Sequence, residues 1–297
     1  MRGVSTPGVT SPGKHEEAGG DGRDDTDAVA RLSVDQVEDL LRRGTLEVRG
    51  RITEASNTTL LCSVTLDAVE GLCVYKPVRG ERPLWDFPDG TLAGREVATY
   101  LLSRASGFGV VPPTVHREGP FGPGMVQRWI EVDEERELVD IVAPKRVAPG
   151  WRTVLRARGH DGEPALLVHA DDPALRAMAA LDVVANNADR KGGHVLAGAD
   201  GGVYGVDHGI CLHQETKLRT VLWGWVGEPL DDEVTAGLQR LRAALSPGNA
   251  ADLADALGEH ITRAEVKAVR SRVDRLLHAN ELPSPSGGWP PIPWPAF

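Results

Sequence analysis

The sequence predicts an α+β fold of two lobes, a small strand-rich N-terminal lobe followed by a mainly helical C-terminal lobe. Three observations carry this. Apolar residues alternate with polar ones over residues 45–78, the period of strands. Residues 231–280 are apolar at helical spacing. Between them, residues 172–206 read as a helix, a tight loop and a hairpin, so the period changes twice within one short unit. A length of 297 residues suits one compound domain of two lobes.

Residues 1–30 are rich in Gly, Asp, Thr and Pro without an apolar period, and are expected to form a disordered tail. Order begins near Leu32. Ser33 with Gln36 is a capping box, Leu32 with Val37 a hydrophobic staple, and Val37, Leu40 and Leu41 form one apolar face before Gly44 ends the helix. Leu46, Val48, Leu60, Leu61, Val64, Leu66, Leu72 and Val74 then mark strands, interrupted by a polar turn at 55–59. A helix follows over 91–103 with Leu92, Val97, Leu101 and Leu102 apolar, then two short strands around Val115 and over 125–130. Residues 133–170 are charged and broken by Pro144, Pro149 and Pro164, and no element is assigned to them. Asp172 as cap and Pro173 in the first turn start a helix that runs to about Asn186. Strands 194–197 and 203–206 flank the Gly-rich turn 198–202. The Pro/Trp-rich stretch 283–297 is expected to lie extended on the surface. The lobes are accordingly 31–132 and 133–282, flanked by the two tails.

A formal net charge of −10 argues against nucleic acid, whose footprint needs clustered positive charge, and against anionic membrane surfaces. No apolar run approaches the roughly 20 residues of a membrane span, and no basic start precedes an apolar stretch, so integral membrane association is not expected and the chain is expected in the cytoplasm. Cys62, Cys73 and Cys211 match no zinc spacing and read as reduced core residues.

The chemistry concentrates in Asn186-Asn187-Ala188-Asp189-Arg190-Lys191-Gly192-Gly193-His194, followed by the hairpin and then Val206-Asp207-His208-Gly209. A short hairpin returns the second Asp to the edge where the first one sits. Phosphoryl transfer from ATP needs such a pair: one carboxylate orients or deprotonates the acceptor, the other holds the Mg²⁺ that bridges phosphate oxygens. Asp-Arg, a hairpin and Asp-x-Gly in that order resemble the phosphatidylinositol 3-/4-kinases and the HipA-type toxin kinases. Over about residues 50–225 the chain resembles the actinobacterial phosphatidylinositol 3-/4-kinase-like proteins. The stretches that carry this are Val74-Tyr75-Lys76-Pro77-Val78-Arg79-Gly80-Glu81 and Lys217-Leu218-Arg219-Thr220-Val221-Leu222-Trp223-Gly224-Trp225.

The resemblance implies a kinase-like bilobal fold with an N-terminal nucleotide-binding lobe, a catalytic C-terminal lobe, and ATP with Mg²⁺ or Mn²⁺ as cofactors. It makes Asp189 the catalytic-loop Asp, Asp207 the metal-binding Asp and Lys191 a contact to the transferred phosphate. His194 departs from it by standing where most kinases place a metal-binding Asn; imidazole suits metals softer than Mg²⁺. Lys76, the lysine of the N-terminal lobe, ends an apolar strand as the phosphate-positioning lysine does, and Glu96 on the next helix is its expected partner. Ser56 and Asn57 fall in the turn expected to cover the phosphates. Gln127 and Trp129 fall in the stretch expected to be the hinge whose backbone meets adenine. Lys217 and Arg219, with Trp223 and Trp225, stand where an anionic acceptor and an aromatic wall would be. His208, His213 and His260 read as structural. The acceptor stays open among protein, lipid head group and small metabolite. Other readings are a nucleotide-binding pseudokinase, an AMP transferase on the same scaffold, and a metal hydrolase built on Asp189, His194, Asp207 and His208.

Overall fold

The structure, a computed structural model, describes residues 29, 31–52, 57–159, 162–246, 248, 253–287 and 290–297. The tail expected over 1–30 lies, apart from Val29, outside the described residues, and so does Ser56.

The chain opens with α1 (Val34–Arg43), whose N-terminus carries the capping box in full: Gln36 N donates to Ser33 Oγ and Ser33 N to Gln36 Oε1. Then come β1 (Thr45–Ile52), β2 (Thr59–Leu66), β3 (Val69–Pro77), α2 (Leu92–Ser106), β4 (Thr114–Gly119) and β5 (Gly122–Arg128). The five strands form one antiparallel sheet in the order β1-β2-β3-β5-β4. Register decides what each face does. Leu60 opposes Tyr75 and Cys62 opposes Cys73, and this face is sealed by Val37, Leu40 and Leu41 of α1. The other face carries Leu61, Val74, Lys76, Met125 and Gln127, since Leu61 opposes Val74, Val74 opposes Gln127 and Lys76 opposes Met125. There α2 covers Met125 with Ala93 and Val97, whereas Leu61, Val74 and Lys76 stay half-buried.

The C-terminal lobe begins with β6 (Val139–Val142), β7 (Trp151–Arg158) and β8 (Pro164–Ala170), a three-stranded antiparallel sheet in the order β6-β8-β7. The sheet occupies the stretch 133–170, to which the sequence assigns no element. Only the central strand is sunk, with Leu166, Leu167, Val168 and His169 buried; β7 is largely exposed and β6 no more than half-buried, so neither edge strand shows a clear alternation. Pro144 and Pro149 lie between strands and Pro164 opens one, positions that need no ladder N–H. Next follow α3 (Pro173–Ala185), the hairpin β9 (Val195–Ala197) and β10 (Val203–Gly205), and the helices α4 (Asp232–Ala244), α5 (Leu253–Gly258) and α6 (Arg263–Ala279). Their core is built around α3, with Leu175, Met178 and Leu181 fully buried against Trp225 and Leu238.

The lobes are joined by a buried ion pair. Arg95 of α2 meets Glu265 of α6 at 2.7 Å, both side chains almost fully enclosed, and Arg95 also donates to the Cys211 carbonyl at 2.8 Å. Burial makes this contact unforgiving: losing either partner strands a charge in the interior. It therefore fixes α2, and with it Glu96, relative to the C-terminal lobe.

Candidate active site

Lys76 ends β3 one residue before Pro77, on the sheet face that α2 only partly covers. Its Nζ lies 2.9 Å from Glu96 Oε1 and forms a second ion pair with Asp207. Glu96 is held there because its own helix is held: Thr91 Oγ1 accepts from Gly94 N, and the Glu81 carboxylate accepts from the N–H groups of Leu92 and Ala93. Burial pulls the Lys76 ammonium down, but Asp207 and Glu96 together outweigh it and hold the lysine above its ordinary value. Glu96 is pushed up by burial and brought part of the way back by Lys76. Asp207 is held well below the carboxylate range, above all by the Lys76 ammonium.

Asp207 sits in the left-handed region at φ 58°, which Asp tolerates. The turn passes close to α2: a Cβ on Gly209 would come within 3.2 Å of Leu92. The Asp207 side chain is half exposed, so it faces the open space between the lobes. His194 Nε2 stands 3.6 Å from Asp207 Oδ2. Burial and Arg190 depress the imidazole despite Asp207, so it is neutral and offers a lone pair.

Asp189 follows the end of α3. Asn186 caps that helix in the left-handed conformation, and its side chain bonds Lys217 N, His213 O and Glu215 O. Asn187 accepts from Asp189 N at 2.9 Å and donates to Asp182 Oδ1 at 3.0 Å. Both asparagines therefore shape the loop. Lys191 Nζ lies 3.4 Å from Asp189 Oδ2, and both side chains are partly exposed.

Behind the loop lies a buried assembly that sequence reasoning missed. Asp182 accepts from Arg190 Nη2 at 2.9 Å, from Asn187 Nδ2 and from Thr220 Oγ1. Arg190 donates onward to the His194 and Val206 carbonyls and to His208 Nε2 at 2.6 Å. Accepting at Nε2, His208 is neutral, with burial the main cause of its depressed pKa. The available signal was Asp182 itself, a lone carboxylate within the apolar stretch Ala177–Ala185.

The remaining site residues separate. Gln127 shares the cleft-side face with Lys76, but its Nε2 donates to Thr114 Oγ1 at 2.8 Å, and Trp129 N donates to Leu72 O at 3.1 Å. One N–H donor of each is thus occupied within the small lobe. Asn57 accepts from Arg82 N at 2.9 Å, which leans the β1–β2 turn on the loop after β3. Lys217 pairs with Asp86 at 3.4 Å, and Arg219 donates to Ile292 O at 3.4 Å. Trp225 is fully buried against His169, their ring centroids 4.3 Å apart, and Trp223 Nε1 donates to Pro291 O. The expected pair of tryptophans therefore forms no wall on the acceptor side: the core's demand for large apolar side chains took Trp225.

Lysine on the third strand, glutamate on the following helix, the Asp189 loop and an Asp after a short hairpin are set in an α+β fold of two lobes, strand-rich in the N-terminal part and mainly helical in the C-terminal part. Protein Rv2133c of Mycobacterium tuberculosis (strain ATCC 25618 / H37Rv) is 52% identical over 267 residues, covering 87% of this chain and 94% of that protein, and the chain belongs to its family. No family model matches. Similar solved structures include the Golgi casein kinase (14% identity, TM-score 0.43, 83% of this chain and 74% of that one) and hydra Fam20 with sugar (13%, TM-score 0.47, 83% and 87%). A third is the Helicobacter pylori proinflammatory kinase CtkA (10%, TM-score 0.39, 80% and 98%). No helix among the described residues is long and apolar enough to cross a membrane.

Proposed function

We propose that the chain is an ATP-dependent phosphotransferase. One observation carries the reading: Lys76, Glu96 and Asp207, the first and the last 131 positions apart, meet in a single charged cluster where the lobes join. A fold has little reason to collect three charges at a half-open cleft unless a charged ligand completes them.

Lys76, steadied by Glu96, binds α- and β-phosphate oxygens as a point charge. The half-buried apolar surface of Leu61 and Val74 beside it receives the nucleoside. Asp189, fixed by Asn187, accepts or orients the proton of the acceptor hydroxyl, and Lys191 offers its ammonium to the transferred phosphoryl group. Asp207 and His194 are the protein donors for a divalent cation. Two donors fit an ion that arrives with the triphosphate, since Mg²⁺ keeps waters and phosphate oxygens as its other ligands. Once bound, such an ion neutralises charge on the β- and γ-phosphates. The nitrogen of His194 favours Mn²⁺ over Mg²⁺.

Incubation with γ- or α-labelled ATP and Mg²⁺ or Mn²⁺ tests the proposal, with protein autolabelling and phosphate release to water as the acceptor-independent readouts. Transfer of the γ-label, faster with Mn²⁺, is expected. Movement of the α-label would instead identify an AMP transferase. A nucleotide-induced rise in Tm without transfer of either label would leave a nucleotide-binding module, and no rise with any nucleotide overturns the proposal.

A further inference from the structure

Residues 290–297 run across the catalytic loop. Gly192 N donates to Ala296 O at 2.7 Å, Thr220 N to Pro291 O at 3.0 Å, Trp223 Nε1 to Pro291 O at 2.9 Å and Arg219 Nη2 to Ile292 O at 3.4 Å. Four donors from two separate segments thus converge on the carbonyls of one stretch. Pro293 is buried, and Ile292 and Ala296 pack on the main core. The ring of Phe297 lies directly on Gly192, where an added Cβ would stand 2.2 Å from it. Position 192 therefore admits glycine because the ring occupies the space of a side chain. Gly192 is the residue after Lys191, whose ammonium stands beside Asp189.

We propose that residues 290–297 are a positioning element of the active site. They clamp the turn after Asp189 against the segment Arg219–Trp223, and Phe297, by filling the space over Gly192, sets where the Lys191 ammonium points. The proposal rests on the phosphotransferase reading. Its physical basis is that, among the described residues, the Lys191 side chain has one ion pair, to Asp189, and its carbonyl one bond, from His194 N at 3.2 Å, so the strap adds a hold on the next residue, Gly192. The prolines at 290, 291, 293 and 295 restrict the backbone of the stretch, which bends at 291–292 and 294–295, and so lower the entropic cost of holding it in place. Phe297 is 49% exposed, so the ring that covers Gly192 also meets solvent.

An acyl-phosphate derivative of ATP tests this on the full chain without a known acceptor. A lysine amine near the bound phosphates attacks the acyl carbonyl, the acyl–phosphate bond breaks and ATP leaves, so the label records which amines face the phosphates. In the unmodified protein, ATP-competable labelling of both Lys76 and Lys191 is expected. Phe297→Ala should lower labelling of Lys191 relative to Lys76 by roughly 10-fold or more, the scale on which an ångström of misplacement acts. Gly192→Ala, which expels the ring from the other side, should do the same, while Phe297→Leu keeps the bulk and should retain the ratio. Amide hydrogen exchange at Gly192 and Thr220 should accelerate in Phe297→Ala. An unchanged labelling ratio in both alanine variants, unchanged exchange at those amides, or a Lys191 unlabelled while Lys76 is labelled, each overturns the proposal. Absence of competable label on either lysine overturns the phosphotransferase reading itself, and the role of the strap with it.

Discussion

Lys76, Glu96 and Asp207 in front of the catalytic loop and Asp182, Arg190 and His208 behind it both gather charge in a small volume, but under opposite terms. Behind the loop the charges close on themselves. Both partners of the Asp182–Arg190 pair are almost wholly enclosed, Asp182 has several donors, and Arg190 reaches two carbonyls and an imidazole as well. In front, Asp207 is half exposed and held by Lys76, leaving carboxylate oxygen turned to the cleft. A buried charge is tolerated when its partners satisfy it, whereas an exposed one can exchange its partner for a ligand. The rear cluster is built to hold the loop, the front one to be rearranged. Substitutions in the two should therefore fall into different columns, activity for one and stability for the other.

The largest effect is expected for Asp189→Asn, which should slow γ-phosphate transfer by roughly 10² to 10⁴, the usual worth of a positioned general base. Nucleotide-induced stabilisation should survive in this variant, and its unliganded Tm should stay close to that of the unmodified protein. Loss of fold together with rate would erase the distinction between front and rear. Asp182→Ala tests the other side: with the Arg190 guanidinium left enclosed and uncompensated, chemical denaturation should show a loss of about 3–5 kcal/mol. A change within about 0.5 kcal/mol, typical of exposed sites, would mean that water reaches Arg190 freely.

His169 extends the rear logic to pH. Its Nδ1–H donates to the Ala170 carbonyl, and its Nε2 accepts from Gly224 N at 3.0 Å beneath Trp225. Burial lowers its pKa from 6.5 to about 4. Above pH 6.5 folded and unfolded chains both keep this imidazole neutral, and its full contribution is present. As pH falls below 6.5 the unfolded chain takes up the proton first, so stability declines until the folded group titrates near 4. The difference is roughly 3 kcal/mol across that window. Tm measured between pH 7 and 4 should fall more steeply for the unmodified protein than for His169→Gln, and parallel curves would remove His169 from this account. The smallest effect belongs to the helix cap far from either cluster. Ser33→Ala should cost about 1 kcal/mol by losing the bond to Gln36 N, with no change in nucleotide binding.

Some of this was written into the sequence because its causes are local. The Ser33–Gln36 box, the strands of the small lobe, the Asp172–Pro173 helix start and the Gly-rich hairpin turn each depend on residues within a few positions of one another. The order of Lys76, Glu96, Asp189 and Asp207 was legible too, and the structure gathers Lys76, Glu96 and Asp207 into one cluster, with His194 beside Asp207. What lay beyond reach depends on partners far along the chain. The β6-β8-β7 sheet forms because β8 finds two edge strands that show little alternation of their own. Trp225 is claimed by the core through His169, 56 positions earlier, instead of lining the cleft. Arg190 becomes the centre of the rear cluster only when the hairpin brings Val206 and His208 to it, and residues 290–297 meet Gly192 only once the C-terminal lobe is in place. Sequence determined the short-range conformations and the chemical types available. Tertiary structure decided which charges would be enclosed and which left facing the cleft, because burial is a property of the surroundings and not of the residue.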